Sequence, residues 1–184
     1  TLIIPTKNRF KLLLNTLTNL KNLKIKFNEI LVIDSSDRND HERIKKISKK
    51  FSLKVFKSKP SSSIQRNKGI NKMNKSNKYF MLLDDDITFY KNSFKNMNSI
   101  LKLNKNKRIV GFAFCQKKQK GSFLEKLKNS YLSSLLGLYE PEPGRVLKSG
   151  WQTKIYKTKK NYYADWLPTA ATIYKKNYVK SRFD

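Results

Sequence analysis

Tyr79-Phe80-Met81-Leu82-Leu83-Asp84-Asp85-Asp86 decides how the chain folds. Five apolar or aromatic residues run without interruption and then meet three carboxylates. A short, continuous apolar run bounded by a polar stop reads as a strand buried on both faces, as in a parallel sheet. In such a sheet the carboxyl ends of the strands face the ligand crevice. Three adjacent acids repel one another, so a divalent cation is a natural neutraliser. An all-oxygen donor set suits Mg²⁺ or Mn²⁺ sharing its shell with substrate phosphates. A solvated turn with helix-capping aspartates is the plainer reading of the same residues.

Outward from that stretch, the pattern repeats. Leu2-Ile3-Ile4-Pro5 is an apolar run stopped by Thr6-Lys7-Asn8, and Glu29 to Asp34 is another, stopped by Ser35-Ser36-Asp37. Leu53 to Phe56 is a short alternating strand. Between these strands, Phe10, Leu13, Leu14, Leu17 and Leu20 recur at helical spacing, as do Ile44, Ile47 and Phe51. Pro60-Ser61-Ser62-Ser63 caps a third helix running to about Met73. Strand and helix therefore alternate four times, which predicts an α/β fold with an open, mostly parallel sheet flanked by helices. Asp34 ends its strand as Asp84 does, placed to accept from a base N–H or a ribose hydroxyl, or simply to hold a Ser-Ser-Asp turn. Arg66 and Asn67 lie near a helix start upstream of the acidic strand, where an arginine can pair with phosphate.

The second half reads as irregular. Ile109 to Cys115 is apolar enough for a strand, with Cys115 in the core. Phe123 to Leu138 carries a helical apolar stripe with lysines opposite, either covering the sheet or lying on a membrane surface. Trp151 to Tyr156 and Tyr162 to Trp166 read as strands that could pair, and Ala170 to Tyr174 as a further short element. The aromatics Trp151, Tyr156, Tyr162, Tyr163 and Trp166 suit either a stacked sugar ring or the packed face of a hairpin. His41, among charges at a helix start, is expected at the surface.

Composition bounds the rest. The 184 residues suffice for one α/β domain, and 38% hydrophobic content supports a real core. No run of 18 apolar residues occurs, and a lone cysteine excludes a disulfide framework. No signal peptide is visible; the chain opens without Met and stops at Phe183-Asp184, which reads as a piece of a longer protein. The net charge is +28, from 41 Lys+Arg against 13 Asp+Glu. Such a balance ordinarily signals an anionic partner. Yet seven of the 41 are arginines, and the lysines are interleaved with asparagines along the whole length, as compositional bias would leave them. A nucleic-acid-binding module is the competing reading, but it has no use for three clustered acids, so nucleic acid is not expected as a partner.

Four blocks together carry a resemblance: Thr1 to Arg9, Glu29 to Ser36, Arg66 to Ile70, and Leu83 to Asp86. In this order and approximate spacing they resemble the family 2 glycosyltransferases, over about residues 1 to 115. The likeness returns at Asp165 to Ala171 and at Arg182-Phe183-Asp184. The resemblance implies a GT-A (Rossmann-like) fold as a single domain over 1–184, truncated at its C-terminus. Residues 1–115 would be the nucleotide-sugar-binding half and 116–184 a partial acceptor-binding half. It implies a nucleotide-diphosphate sugar donor, a sugar or lipid-linked acceptor, Mg²⁺ or Mn²⁺, and transfer with inversion. By position Pro5, Thr6 and Arg9 match the loop lining the nucleotide, and Asp34 the acid at the base. Arg66 matches the arginine of the family's Arg-Asn motif. Asp84 and Asp86 match the outer acids of the Asp-x-Asp motif, the first near the ribose and the last on the metal, with Asp85 between them at the donor. Asp165, Trp166 and Thr169 match the acceptor-side segment, where Thr169 stands in place of the usual glycine. The catalytic base is expected beyond Asp184. A GT-A-type nucleotidyltransferase is a third reading, although Pro5 to Arg9 lacks the glycine-rich phosphate loop it would need. The family-level expectation for place is cytoplasmic, peripheral at the membrane face, in polysaccharide assembly for the cell envelope.

Overall fold

A computed structural model describes residues 1–103, 109–115, 144–147, 150, 152–153, 162–179 and 183. Two compact units emerge: Thr1–Phe112 with Thr169–Asp184, and Ala113–Pro168.

The first unit is built on a six-stranded mixed sheet in the order β3-β2-β1-β4-β6-β5. Its strands are β1 (Leu2–Thr6), β2 (Ile30–Asp34), β3 (Leu53–Lys57), β4 (Tyr79–Leu83), β5 (Gly111–Ala113) and β6 (Ala171–Lys175). The helices are α1 (Phe10–Asn22), α2 (Arg38–Phe51), α3 (Ser62–Lys72) and α4 (Ser93–Leu103). Strands β1, β2, β3 and β4 pair in parallel, and β6 runs antiparallel to β4.

The burial pattern follows from this order. The central strands β1, β2 and β4 carry fully buried Leu2, Ile3, Ile4, Leu31, Val32, Ile33, Leu82 and Leu83. Strand β3 lies at the edge and is correspondingly only half-buried. Helix α3 sits hard against β1. A Cβ on Gly69 would come within 2.3 Å of Ile3 Cγ2, so only glycine admits this approach. The α3 start is as the sequence predicts: Ser61 is the N-cap, and its hydroxyl accepts from the Ile64 amide.

Chain order reverses at β1. From β1 the chain moves outward to β2 and β3, then returns to β4 on the other side of β1. The carboxyl ends of β1 and β4 therefore form the switch point of the sheet, where ligands enter open α/β folds. Pro5 sharpens the split. It has no N–H to give, and the β1–β4 register stops at Ile3↔Leu82.

Several expectations are corrected. Tyr162 to Trp166 is not a strand, and Gln152 bridges back to Val146 instead. Ala170 to Tyr174, read only as a further short element, is the strand that extends the sheet beside β4. It does so because the Phe80 and Tyr174 rings stack at 5.3 Å and Ala171 and Thr172 are buried. Helix α4 falls in a Lys- and Asn-rich stretch whose apolar period is too thin to read; only Phe94 and Met97 are buried. Cys115 is exposed just past the end of β5, not in the core. The helix expected over Phe123 to Leu138, and the aromatics Trp151 and Tyr156, lie outside the described residues.

Candidate functional site

The three aspartates after β4 take different directions. Asp85 turns inward, its side chain only 4% exposed, whereas Asp84 and Asp86 are 34% and 40% exposed. The chain leaves β4 at Leu83 and turns at Asp85 and Asp86, so neighbouring acids do not share a face. Asp85 Oδ2 accepts a 2.6 Å hydrogen bond from Thr6 Oγ1, across the switch point. The Asp85 carbonyl accepts from Thr16 on α1 at 2.9 Å. Asp85 is thus the clasp between β1, α1 and the end of β4. Burial pushes its carboxyl above the usual range, and the Thr6 bond and the Arg9 charge offset this only in part.

Two arginines frame the open acids. Arg9 Nη1 lies 3.0 Å from Asp85 Oδ1, and Arg9 Nη2 lies 2.5 Å from Asp86 Oδ2. The bond to Asp86 leads in raising the Arg9 pKa above its ordinary value. Arg66 Nη2 lies 3.2 Å from Asp84 Oδ1, and the buried Arg66 Nε finds no partner. The repulsion among three carboxylates is therefore met here by Thr6, Arg9 and Arg66. Composition and spacing alone suggested a cation for that task, because they do not show which arginines return to the strand end.

The loops beside the switch point are tied together. Asn8, at φ 53°, donates its amide to Ser36 Oγ and accepts from the Asp37 amide on its side-chain oxygen, both at 2.8 Å. A non-glycine residue with positive φ is strained, and asparagine tolerates it best. Gln65 on α3 is buried and donates to the carbonyls of Thr6 and Ile33 at 2.9 and 2.6 Å. Sequence reading missed Gln65. Its one signal is its place four residues before Gly69, on the face of α3 that packs against the sheet.

Asp34 ends β2 opposite Thr6 in register, but it is no open acceptor. Its side chain is 0% exposed; Oδ1 accepts from the Ser36 amide at 2.8 Å, and Oδ2 faces His41 Nδ1 at 2.5 Å. His41, expected at the surface, is buried for this reason. A carboxylate shut away from water needs a donor, and His41 on the first turn of α2 supplies it.

The remaining predicted residues divide between the units. Thr169 precedes β6 in the first unit, and the Ala170 carbonyl accepts from the Asp84 amide at 2.8 Å. Asp165 and Trp166 belong to the second unit. There Asp165 takes Arg145 at 3.4 Å and the Val146 amide at 3.1 Å, while Trp166 Nε1 donates to the Thr153 carbonyl at 3.0 Å. Arg182 and Asp184 lie outside the described residues.

Asp84 and Asp86 fit a hard divalent cation. Each presents a partly exposed carboxylate, held by an arginine at one oxygen. Among the described residues no group of three or more His, Cys, Asp or Glu converges as a closed cage.

Comparison with known proteins gives a family and a fold. A family model described as Glycosyl transferase family 2 matches residues 1–173. Among solved structures, residues 1–349 of TarS from S. aureus are similar at 20% identity and a TM-score of 0.51, over 66% of this chain and 36% of that one. The mannosyltransferase PcManGT from Pyrobaculum calidifontis, in complex with GDP-Man and Mn²⁺, is similar at 14% identity and a TM-score of 0.54, over 90% and 55%. The 4-diphosphocytidyl-2C-methyl-D-erythritol synthase from Anaerococcus prevotii is similar at 13% identity and a TM-score of 0.56, over 96% and 69%. At these identities the likeness establishes a shared GT-A-type fold. The chain spans about a third to a half of the length of the first two. Comparison with curated protein sequences yields no match.

Proposed function

This chain belongs to glycosyl transferase family 2, and on that premise we propose that it transfers a sugar from a nucleotide-diphosphate donor to an acceptor hydroxyl, with a divalent cation and with inversion. One observation carries the reading. At the switch point Asp85 is locked inward by Thr6, which turns Asp84 and Asp86 outward between Arg9 and Arg66. Open acids for a cation and arginines for phosphates are what a metal–diphosphate ligand requires.

In this reading Asp86 and Asp84 would hold Mg²⁺ or Mn²⁺, which would supply positive charge beside a diphosphate leaving group. Arg9 and Arg66 are placed to take phosphate oxygens. Thr6, Gln65 and Asn8 keep the strand ends and loops in position, so the polar groups are preorganised rather than recruited. The enclosed Asp34–His41 pair supports the β2 end from beneath, and recognition of the base falls to the loop above it. Asp165, Trp166 and Thr169 are assigned to the acceptor side by position in the family. A sugar or lipid-linked acceptor for cell-envelope polysaccharide, met at the cytoplasmic membrane face, belongs to the same proposal. No described helix is long and apolar enough to cross a membrane.

The likeness to the erythritol cytidylyl synthase favours one second reading, nucleotidyl transfer at the same switch point. The products separate the two: sugar transfer releases a nucleoside diphosphate, nucleotidyl transfer releases pyrophosphate. The binding test is calorimetric titration of UDP, GDP and dTDP with Mn²⁺ or with a chelator, at physiological ionic strength to suppress nonspecific attraction to the cationic chain. Metal-dependent binding of one diphosphate is expected. Binding of all three that is indifferent to chelator and falls steeply with salt would instead support the polyanion reading.

A further inference from the structure

We propose that Arg9 holds the place of the divalent cation on Asp86 and swings to the donor's phosphates when the cation arrives. The inference rests on the metal reading given above.

Arg9 touches two acids of unequal character. Asp85 is buried and fixed by Thr6, so the Nη1 contact at 3.0 Å has a stationary partner. Asp86 is open to solvent, and the Nη2 contact at 2.5 Å falls on a carboxylate that a cation can also reach. One guanidinium thus has a permanent anchor and an exchangeable one. Arg9 is also the N-cap residue of α1, yet its side chain makes no capping bond. Nothing in the helix commits it, and it is half-exposed, so it has room to move.

Electrostatics sets the direction of that motion. A doubly charged ion on Asp86 repels a guanidinium in contact with the same carboxylate. Arg9 keeps Asp85 through Nη1 and gives up Asp86 through Nη2. The freed N–H groups then face a site where phosphate oxygens arrive with the cation, and the planar fork of arginine matches them. Arg9 and the cation therefore compete when no nucleotide is present and cooperate when it is. Such a reversal keeps the acids neutralised between turnovers and favours the cation entering together with a diphosphate.

The test is Mn²⁺ affinity of the full chain, read from the free-ion electron paramagnetic resonance signal. Three proteins are compared: the natural chain, Arg9→Gln, and Lys7→Gln. Lys7 is exposed in the same loop, so Lys7→Gln removes the same charge from the neighbourhood. With Mn²⁺ alone, Arg9→Gln is expected to bind roughly tenfold tighter and Lys7→Gln to change less than about twofold. With saturating UDP or GDP the order reverses, and Arg9→Gln binds Mn²⁺ more weakly than the natural chain. Unchanged or weaker Mn²⁺ binding by Arg9→Gln alone would overturn the proposal. So would an equal gain in Lys7→Gln, which would mark a general field effect. Absence of the reversal would overturn the swing to phosphate. If no folded variant binds Mn²⁺ at all, the metal reading itself falls, and this inference with it.

Discussion

Glu29 at the amino end of the parallel strands and Asp85 at their carboxyl end are both buried carboxylates, and the chain treats them in opposite ways. At the amino end Glu29, just before β2, accepts from Thr1 Oγ1 at 2.6 Å, the Asn74 amide at 2.7 Å, Asn77 Nδ2 at 3.2 Å and Lys54 Nζ at 3.2 Å. Burial pushes its carboxyl upward, yet the bonds from Thr1, Asn74 and Lys54 together outweigh it and hold the pKa at about 2. At the carboxyl end Asp85 has Thr6 and Arg9, and burial still wins. Glu29 is saturated by the chain itself, and it sews β1, β2 and the loop before β4 together. The acids after β4 are left short of donors inside and open outside. On the function proposed above, the end whose acids are fully answered is the structural end, and the end whose acids are under-answered is the one that takes the ligand.

Substitutions can break this contrast, starting with the largest effect. Asp86→Ala should lower Mn²⁺-dependent nucleotide affinity by roughly a hundredfold, since even indirect partners of a metal cost 10–100-fold. Its melting temperature should stay close to that of the natural chain, because Asp86 is exposed. Calorimetry and a thermal melt check the two halves of that expectation.

Glu29→Gln should do the reverse: nucleotide affinity per folded molecule stays, and stability drops. A depressed carboxylate contributes stability that is present above its unfolded pKa and lost as pH falls through the folded one. The variant should therefore be about 2–3 kcal/mol less stable at pH 7, with the gap closing as pH falls from about 4.5 toward 2. Urea melts at several pH values read this directly.

Gly69→Ala strikes the packing of α3 on β1 that both ends share. The added Cβ meets the fully buried Ile3, and overpacking of this kind costs about 2 kcal/mol. A loss of stability with no change in its pH profile is expected.

Asp85→Asn should have the smallest effect on stability and the opposite sign of pH dependence from Glu29→Gln. A raised carboxyl contributes stability below its unfolded pKa that is lost as pH rises through the folded one. Above that folded pKa the charge on Asp85 opposes folding, and its replacement should shift stability by less than about 1 kcal/mol. The same melts compare it with Glu29→Gln.

The parts of the fold that were legible are those where one physical signal dominates. β1, β2 and β4 are continuous apolar runs because they are buried on both faces, and Ser61 announces α3. The acids at strand ends were legible for the same reason, as interruptions of those runs. What escaped depends on partners distant in sequence. His41 and Asp34 are separated by seven residues and look like surface charge until a helix folds one over the other. Gln65 is an ordinary polar residue until the two carbonyls it bridges are brought beneath it. The pairing of Arg9 with Asp86 spans 77 positions. No local pattern encodes it, so three adjacent acids read as a metal site or a solvated turn, and not as partners of Arg9. Helix α4 and strand β6 were obscured differently, α4 by Lys- and Asn-rich composition and β6 by Thr172, which interrupts its apolar run.

Paramagnetic broadening of amide signals by Mn²⁺, with the nucleoside diphosphate that calorimetry selects, compares the two ends in one spectrum. Broadening is expected to centre on Asp84 to Asp86 and to reach Thr6 to Arg9, while Glu29, Asn74 and Asn77 keep their signals. Broadening at Glu29, or a diffuse loss over the exposed surface with Asp84 to Asp86 spared, would contradict the assignment of the carboxyl end of the sheet as the metal and nucleotide site.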